Sequence, residues 1–334
     1  MALDHGEFEG MLMKAIVYAR YGPPEVLQLK EVEKPTPEDK QVLVQVHAAS
    51  VNARDWRPFT MPPILVRLID GRPLKLINTT LGVDIAGRVE AVGRNVKQFQ
   101  PGDEVFGVAP GAFAEYACAA ENKLALKPAN LSFEAAAAVP LAAFTALQGL
   151  RDSGQIQPGQ KVLINGAGGG VGTFAVQIAK SFAAEVTAVC STRNLDTARS
   201  IGADRVIDYT QADFTKDGQR YDLIIAANGY HPLLDYWRAL SPTGIYVGLG
   251  GSMAQIFQGM LLGPLISRFG RQKISVMLAR SNQKDLVFLK ELLEAGKVVP
   301  VIDRYYPLSE VADAIRYLAE GHARGKVIIT VAGD

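Results

Sequence analysis

A glycine-rich turn between an apolar strand and a helix is the strongest chemical signal in the sequence. In the segment KVLINGAGGGVGTFAVQIAK, a strand ends at Asn165 and a helix begins near Val171. Ala167, Gly169 and Gly172 follow the spacing of the dinucleotide-binding G-x-G-x-x-G pattern, with alanine at the first position. The helix N-terminus offers unpaired N–H groups and a partial positive charge to phosphate. The pattern predicts a dinucleotide site, with a purely structural turn as the alternative.

The residues at the end of the second strand predict which dinucleotide binds. An Asp or Glu about 20 residues after the glycines would bind the ribose hydroxyls of NAD. This sequence has CSTR there instead, with Ser191 and Arg193. Because a hydroxyl and a guanidinium both suit a 2′-phosphate, we expect NADPH. The alternative is that Ser191 caps the next helix and Arg193 is a solvated surface charge.

Cysteine and histidine are too sparse for a disulfide framework or a structural metal site. The chain has two cysteines and four histidines, with no CxxC and no HxxxH pair. We therefore expect no four-ligand structural zinc. No GxSxG nucleophile elbow occurs, and Cys190 is expected to be a buried strand-end residue rather than a nucleophile.

The elements that must position these residues change character near Glu134. Before it, β-rich runs at 14–18, 41–47 and 87–92 alternate with Pro/Gly turns and predict a mostly β domain. Within the second run, the alternating valines of VLVQVHA predict a half-buried strand, with an ordinary core strand as the alternative.

After Glu134, apolar strands alternate with helical segments. The predicted strands lie at 161–165, 185–190, 205–207, 222–227, 245–249 and 273–278. Six such strands in succession predict a doubly wound parallel sheet. Two helices, at 283–295 and 308–320, and a strand at 327–331 complete the chain.

Length and charge narrow the functional classes. At about 150 residues per domain, 334 residues predict about two domains. Lys and Arg number 35 against 34 Asp and Glu, a net charge of +1, so no basic surplus favours nucleic acid. The first residues are acidic, and no clean apolar run reaches the length of about 18 residues that a membrane span needs. We expect a cytoplasmic protein with no membrane partner and leave the role of residues 1–12 open.

From Met13 to Val331 the sequence resembles the medium-chain dehydrogenase/reductase superfamily, and within it the zinc-independent quinone oxidoreductase-like branch. In the glycine loop, the one departure from that branch is Gly168, where Ser or Ala is usual. The other stretches that carry the likeness are MKAIVYARYGPPEVL, AASVNARDW, LGVDIAGRVEAVG, CSTRN, GADRVIDY and GHARGKVIIT.

The resemblance implies an α/β fold in which a Rossmann doubly wound parallel sheet, residues 137–280, is inserted in a GroES-like, mostly β catalytic domain formed by residues 1–136 and 281–334. It also implies an active site in the cleft between the domains. Asn52 and Val83 stand where zinc-dependent members have Cys and His ligands. Because Asp84 is then the lone carboxylate of that set, no catalytic zinc is expected.

The resemblance also implies a set of cofactor contacts. These are Asn52, Thr145, Gly169, Gly170, Val171, Ser191, Arg193, Tyr209, Asn228 and Leu249, with His322 and Arg324 as further candidates. Tyr209 has an alternative as an ordinary strand-end aromatic. His322 and Arg324 have an alternative as a charged turn.

Hydride transfer without zinc requires an acceptor that is already activated, such as a quinone or an α,β-unsaturated carbonyl compound. Asn52 is the catalytic candidate, because its NH₂ group is able to donate to the coenzyme carboxamide or to the developing oxyanion. Asp55 is a candidate to orient water or Arg54, or is a structural hydrogen-bond partner. No proton donor stands out, so we expect solvent to supply the proton. The alternative function is a catalytically idle NADPH-binding sensor or interaction protein.

Two apolar segments are candidate walls for a small hydrophobic substrate. One is MAQIFQGMLLGPLI at 253–266, with a subunit contact or a buried helix as the alternatives. The other contains Trp56, Phe59 and Met61, with core packing as the alternative. A homodimer is a further expectation, because the exposed edge of a Rossmann sheet is able to pair with a second copy.

Overall fold

A computed structural model describes residues 10–20, 22–56, 79–228, 231–250, 258–259, 263 and 271–331. The chain divides into two compact units. The first comprises Met1–Leu141, Ser281–Glu294 and Ile302–Asp334, and the second comprises Ala142–Arg280 and Ala295–Val301.

The described strands and helices have these bounds. The strands are β1 Leu12–Tyr18, β2 Gln28–Glu33, β3 Gln41–Val51, β4 Thr79–Thr80, β5 Asp84–Val92, β6 Glu104–Val108, β7 Tyr116–Ala120, β8 Leu124–Leu126, β9 Lys161–Asn165, β10 Glu185–Cys190, β11 Arg205–Asp208, β12 Tyr221–Ala226, β13 Leu240–Gly248, β14 Lys273–Val276, β15 Ile302–Pro307 and β16 Lys326–Thr330. The α-helices are α1 Ala53–Trp56, α2 Phe133–Ala137, α3 Pro140–Gln148, α4 Gly170–Ser181, α5 Leu195–Ser200, α6 Leu233–Ala239, α7 Gln283–Glu294 and α8 Val311–Ala319.

The first unit is built around a seven-stranded sheet in the order β15-β16-β3-β5-β6-β8, with β7 also paired to β3. A three-stranded sheet, β2-β1-β4, accompanies it. β3 pairs antiparallel with β5, β7 and β16, so it is the central strand of the larger sheet. The polar ends of β3, β5 and β16 meet at Ser50, Asp84 and Lys326, which form the centre of the site described below.

β3 is an ordinary core strand rather than a half-buried one. Val42 and Val44 on one face and Leu43 on the other are all fully buried. The second face is covered because α2 packs on β3, where the His47 ring stacks on Phe133 with ring centroids 4.3 Å apart. Alternation along a strand predicts which residues share a face, but it does not predict a helix that covers the other face.

The second unit contains a six-stranded parallel sheet in the order β11-β10-β9-β12-β13-β14. All six predicted strands are present, and the α/β fold class is confirmed. From β9 the chain runs outward through β10 and β11, and then returns to place β12 on the other side of β9. Ligands of such sheets bind at the carboxyl ends of the strands where this reversal occurs.

The core of the second unit includes a cluster of buried aromatic residues, with Phe214, Tyr236 and Tyr246 among its members. Asn165, the last residue of β9, donates a 2.6 Å hydrogen bond from Nδ2 to Tyr236 Oη. The strand end that leads into the glycine turn is therefore held by both apolar packing and a buried hydrogen bond.

Several sequence-based expectations concern residues outside the described part of the chain. Most of 253–266, together with Phe59 and Met61, lies outside the described residues, so both proposed pocket walls stay predictions. β11 and β14 are the edge strands of the parallel sheet, and the homodimer also stays a prediction. No helix in the described ranges is long and apolar enough to cross a membrane.

Candidate functional site

The glycine turn joins the carboxyl end of β9 to the N-terminus of α4. Gly166 turns the chain with φ +87°, and Gly169 occupies the N-cap position of α4 in an extended conformation. No side chain caps the helix, so Gly170 and Val171 begin it with backbone N–H groups directed away from its body. This arrangement suits a phosphate, which needs hydrogen-bond donors and a positive potential.

Two glycines of the turn, Gly169 and Gly172, differ in how much space surrounds them. A Cβ atom placed on Gly172 would overlap the Gly166 carbonyl oxygen and lie 2.7 Å from Ala167 Cα, so this position holds the helix against the strand end. A Cβ atom on Gly169 would have only Gly166 O nearby, at 3.7 Å. The side of the turn at Gly169 is therefore open, as the approach of a dinucleotide phosphate requires. These residues fit a bound dinucleotide.

The carboxyl end of β10 carries the predicted coenzyme-selecting residues. Ser191 occupies the N-cap position of the 3-10 turn Thr192–Asn194, but its side chain makes no capping hydrogen bond. Ser191 is half-buried and Arg193 is exposed. The geometry therefore does not support capping as the role of Ser191.

An acid that sequence reasoning missed lies on the neighbouring strand. Asp208, the last residue of β11, pairs with Cys190 in the sheet register. Its Oδ2 accepts a 2.5 Å hydrogen bond from Thr192 Oγ1, and its Oδ1 accepts bonds from the backbone N–H and the hydroxyl of Thr210 at 2.9 and 2.7 Å. The Thr192 hydrogen bond is the largest of the causes that lower the pKa of Asp208. Parallel strands bring this acid to the same edge of the sheet as the end of β10, although it lies 18 positions further along the chain than Cys190.

Two other predicted cofactor residues of the second unit, Asn228 and Leu249, lie near the same edge of the sheet. The backbone N–H of Asn228 donates to Asn165 O at 3.3 Å, and that of Leu249 donates to Ala226 O at 3.0 Å. These contacts place Asn228 and Leu249 beyond the carboxyl ends of β9 and β12. Thr145 lies on α3 and is half-buried, while Tyr209 is 59% exposed.

His322 and Arg324 lie in the exposed turn before β16, in the first unit. The backbone N–H of Arg324 donates to Asp303 Oδ2 at 2.9 Å. The charged-turn alternative accounts for this contact without a ligand, and a cofactor role for the two residues stays a prediction.

Asn52 belongs to a buried polar cluster at the ends of β3, β5 and β16. Its Nδ2 donates to Asp84 Oδ2 at 2.9 Å and to Ser50 O at 3.2 Å, and its Oδ1 accepts a 2.6 Å bond from Lys326 Nζ. The Asn52 backbone N–H donates to Asp55 Oδ2 at 2.7 Å. Since both amide hydrogens are engaged, donation from Asn52 to a substrate requires the exchange of one of these bonds.

Asp84 is fully buried and accepts three hydrogen bonds besides its ion pair. Ser50 Oγ and Asn52 Nδ2 donate to Oδ2, and the Leu141 backbone N–H donates to Oδ1 at 3.1 Å. Lys326 Nζ lies 3.6 Å from Oδ2. Burial raises the pKa of Asp84 and lowers the pKa of Lys326, while the attraction between the two charges opposes both shifts.

The residue types of this cluster do not fit a catalytic zinc ion. Asn52 and Val83 are not zinc ligands, and the ammonium of Lys326 contacts Asn52 and repels a metal cation from the same place. Over the described ranges, no group of three His, Cys, Asp or Glu is arranged to hold a metal. Zinc-free catalysis stays a prediction that the donor chemistry favours.

A cavity of about 210 Å³ lies beside this cluster. Arg54 and Asp55 of α1 line it together with Tyr18, Thr80 and Val83. Arg54 is exposed, whereas Asp55 is buried. The cavity thus combines a cation, hydroxyl groups and apolar side chains within the first unit.

Both cysteines are free thiols. Burial raises the pKa of Cys118 to about 12 and that of Cys190 to about 11. Cys190 is 3% exposed at the end of β10, in agreement with the prediction of a buried strand-end residue. Neither thiol is set up as a nucleophile, because the thiolate is the reactive form.

Comparison with known proteins gives consistent matches. The alcohol dehydrogenase GroES-like domain matches residues 38–129, and a zinc-binding dehydrogenase model matches residues 201–329. The chain is 33% identical to the chloroplast envelope quinone oxidoreductase homolog of Arabidopsis thaliana, over 96% of this chain and 99% of that protein. It is 34% identical to the chloroplastic NADPH-dependent alkenal/one oxidoreductase of Arabidopsis thaliana, over 95% of this chain and 79% of that protein.

Among solved structures, the fold is similar to that of the quinone oxidoreductase from Coxiella burnetii. The TM-score is 0.84 at 30% sequence identity, and the match covers 96% of this chain and 100% of that chain. The names of the two plant relatives refer to the chloroplast, so the cytoplasmic location expected for this chain stays a prediction.

Adding a methyl group at Gly172 or at Gly169 should affect stability and dinucleotide binding differently. Gly172→Ala should lower the free energy of unfolding by about 1–3 kcal/mol, because the methyl group meets backbone atoms that cannot move freely. Gly169→Ala should cost less than about 1 kcal/mol, yet weaken dinucleotide binding about tenfold by filling the open side of the turn. Urea unfolding and a fluorescence titration with NADPH measure the two effects. Equal stability losses in the two variants would contradict this assignment.

Because Lys326 and Asp84 form a buried ion pair, removing the lysine should strongly destabilise the folded protein. Lys326→Met should lower the free energy of unfolding by about 3–5 kcal/mol, because it leaves Asp84 as an uncompensated buried charge. Lys180→Met is the matched control, since the Lys180–Asp204 pair is partly exposed and should contribute about 1 kcal/mol or less. Urea unfolding of both variants at neutral pH tests this difference.

The sign of the pH dependence follows from the pKa of Asp84. In Lys326→Met the opposing cation is gone, so burial raises the pKa of folded Asp84 further above its ordinary value of 3.8 than in wild type. A raised folded-state pKa favours the folded state at low pH, so the variant should recover stability relative to wild type as the pH falls from neutral toward that ordinary value. A deficit independent of pH would contradict the assignment to Asp84.

Proposed function

Because this chain belongs to the quinone oxidoreductase-like branch of the medium-chain dehydrogenase/reductase superfamily, we propose that it is an NADPH-dependent reductase that transfers hydride to a quinone or an α,β-unsaturated carbonyl compound without a metal. The observation that carries this proposal is the contact between Lys326 and Asn52, where zinc-dependent members have a metal ligand. The names of the relatives support the broader conclusion that this chain is an NAD(P)H-dependent oxidoreductase.

A metal-free site restricts the substrate class. Zinc acts as a Lewis acid on unactivated carbonyl and alcohol groups, and the Asn52–Asp84–Lys326 cluster supplies no substitute for that role. The acceptor must therefore delocalise the negative charge itself. Quinones and enones do so, because hydride addition to either gives an oxygen-centred anion in conjugation.

NADPH, when bound, supplies the hydride. Gly169, Gly170 and Val171 are the residues proposed to hold its pyrophosphate at the N-terminus of α4. Ser191 and Arg193 are proposed to hold the 2′-phosphate beyond β10. Arg is suited to this role because its charge is permanent and its donors are arranged in a fork.

Arg54 is proposed to stabilise the anion that forms on the acceptor. It lines the cavity beside Asp55 and Val83, and its guanidinium carries the positive charge that a developing oxyanion needs. The final proton is assigned to water, because the raised pKa values of both cysteines make neither a suitable acid at neutral pH. Hydride and proton together reduce the acceptor by two electrons.

Loss of NADPH absorbance with an acceptor panel tests the function. We expect turnover with 1,4-benzoquinone, 9,10-phenanthrenequinone or an alkenal, and none with a simple aldehyde. Chelation of metals should leave the rate unchanged. NADPH binding without turnover on any acceptor would favour the sensor or interaction protein, and turnover abolished by a chelator would contradict the metal-free proposal.

Arg193→Gln tests the coenzyme preference. Removing one charge-assisted contact to the 2′-phosphate should raise the KM for NADPH about tenfold and leave the KM for NADH within about twofold. Arg199→Gln is the matched control, because Arg199 is an exposed residue paired with Asp196 one turn away. An equal effect of the two substitutions would contradict the assignment.

A further inference from the structure

Asn194 is a buried amide between the glycine turn and the end of β10. The residue is 7% exposed, although it belongs to the short exposed segment that follows Cys190. Its Nδ2 donates to Ser191 Oγ at 3.2 Å, and its backbone N–H donates to Ser191 O at 2.9 Å. Asn194 therefore fixes both the backbone and the hydroxyl of Ser191.

The polarity of the side-chain bond determines what Ser191 is able to do. A serine hydroxyl has one hydrogen and two lone pairs. Because Asn194 donates to the oxygen, the Ser191 hydrogen is not used in this contact, and Ser191 makes no capping bond. The hydroxyl is thus prepared to donate to an incoming acceptor, and a phosphate oxygen is such an acceptor.

Gly168 explains how the amide fits. A Cβ atom on Gly168 would lie 2.9 Å from Asn194 Cβ and overlap the Asn194 amide nitrogen. Gly168 is therefore the position in the glycine turn against which Asn194 packs. The glycine turn and Ser191 are linked through this one side chain.

The orientation of the Asn194 amide is not the one that would stabilise the folded protein most. Asn194 Oδ1 is buried and has no hydrogen-bond partner among the described residues. An unpaired buried acceptor is unfavourable for the folded state. Retaining the amide in this orientation costs stability and keeps Ser191 as a donor.

We propose that Asn194 is a positioning residue for coenzyme selection: by donating to Ser191 Oγ, it directs the Ser191 hydroxyl hydrogen toward the 2′-phosphate of NADPH. This inference rests on the proposed function, because it assumes that NADPH is the coenzyme. It adds a residue that would not itself touch the 2′-phosphate and makes Gly168 a requirement for its placement.

The experiment measures dissociation constants for NADPH and NADH by fluorescence titration, with 2′,5′-ADP and 5′-AMP as fragments that differ in the 2′-phosphate. Asn194→Ala should weaken NADPH and 2′,5′-ADP about fivefold and leave NADH and 5′-AMP within about twofold. Asn194→Asp has nearly the same shape but accepts the Ser191 hydrogen and adds a negative charge. It should therefore weaken NADPH by more than Asn194→Ala does.

Two further variants complete the design. Gly168→Ala should reproduce the selective loss, because the methyl group displaces the Asn194 side chain. Asn130→Ala removes an amide of the same size that donates to Leu293 O in the other unit, and it should leave all four constants unchanged. Circular dichroism confirms that each variant is folded before titration.

The outcomes separate the inference from the function on which it rests. If wild type prefers NADPH and Asn194→Ala weakens NADPH and NADH equally, Asn194 is merely structural and the inference is overturned. If wild type binds both coenzymes equally, the NADPH assignment itself fails. Selective loss in Asn194→Ala and Gly168→Ala, with a larger loss in Asn194→Asp, supports the inference.

Discussion

One buried carboxylate organises the polar centre of the first unit. Asp84 begins β5, is inaccessible to water, and accepts bonds from Ser50 and Asn52 near the end of β3, while Lys326 at the start of β16 supplies the compensating charge. A charge in a low-dielectric interior is tolerated only with such partners. Because β16, β3 and β5 are neighbours in one sheet, a slip of one residue would turn these groups to opposite faces. The cluster therefore helps to fix the strand register as well as the charge balance.

The phosphate-binding character of the second unit comes from its backbone rather than from a buried charge. The glycine turn after β9 holds no charged side chain, and the open space at Gly169 and the backbone N–H groups of α4 supply the phosphate-binding character. Under the proposed function, recognition by side chains is assigned to Ser191 and Arg193, beyond the end of β10. This division suits a dinucleotide, because the pyrophosphate is common to every nicotinamide coenzyme, whereas the 2′-phosphate distinguishes one from another.

Local patterns predicted the parallel sheet well, since each of its strands is a short apolar run next to a turn. β9 and β10 have the predicted bounds, and β13 begins earlier than predicted at Leu240. Contacts between residues that are far apart in the sequence were harder to predict. Lys326 and Asn52 are 274 positions apart, and Lys326 stands before an apolar run with nothing local to indicate that it is buried. The position of Asp208 beside the end of β10 was not predictable from local sequence, because proximity across neighbouring parallel strands depends on register rather than on sequence distance.

The two cysteines have a consequence for the resistance of the protein to covalent modification. Quinones and enones are electrophiles that alkylate thiolates, so an enzyme that handles them is exposed to modification by its own acceptors. With pKa values of about 11 and about 12, roughly one thiol in ten thousand or fewer is ionised at neutral pH. The chain has only these two cysteines. Under the proposed function, low thiol content and suppressed ionisation together make the protein a poor target for covalent modification by its acceptors.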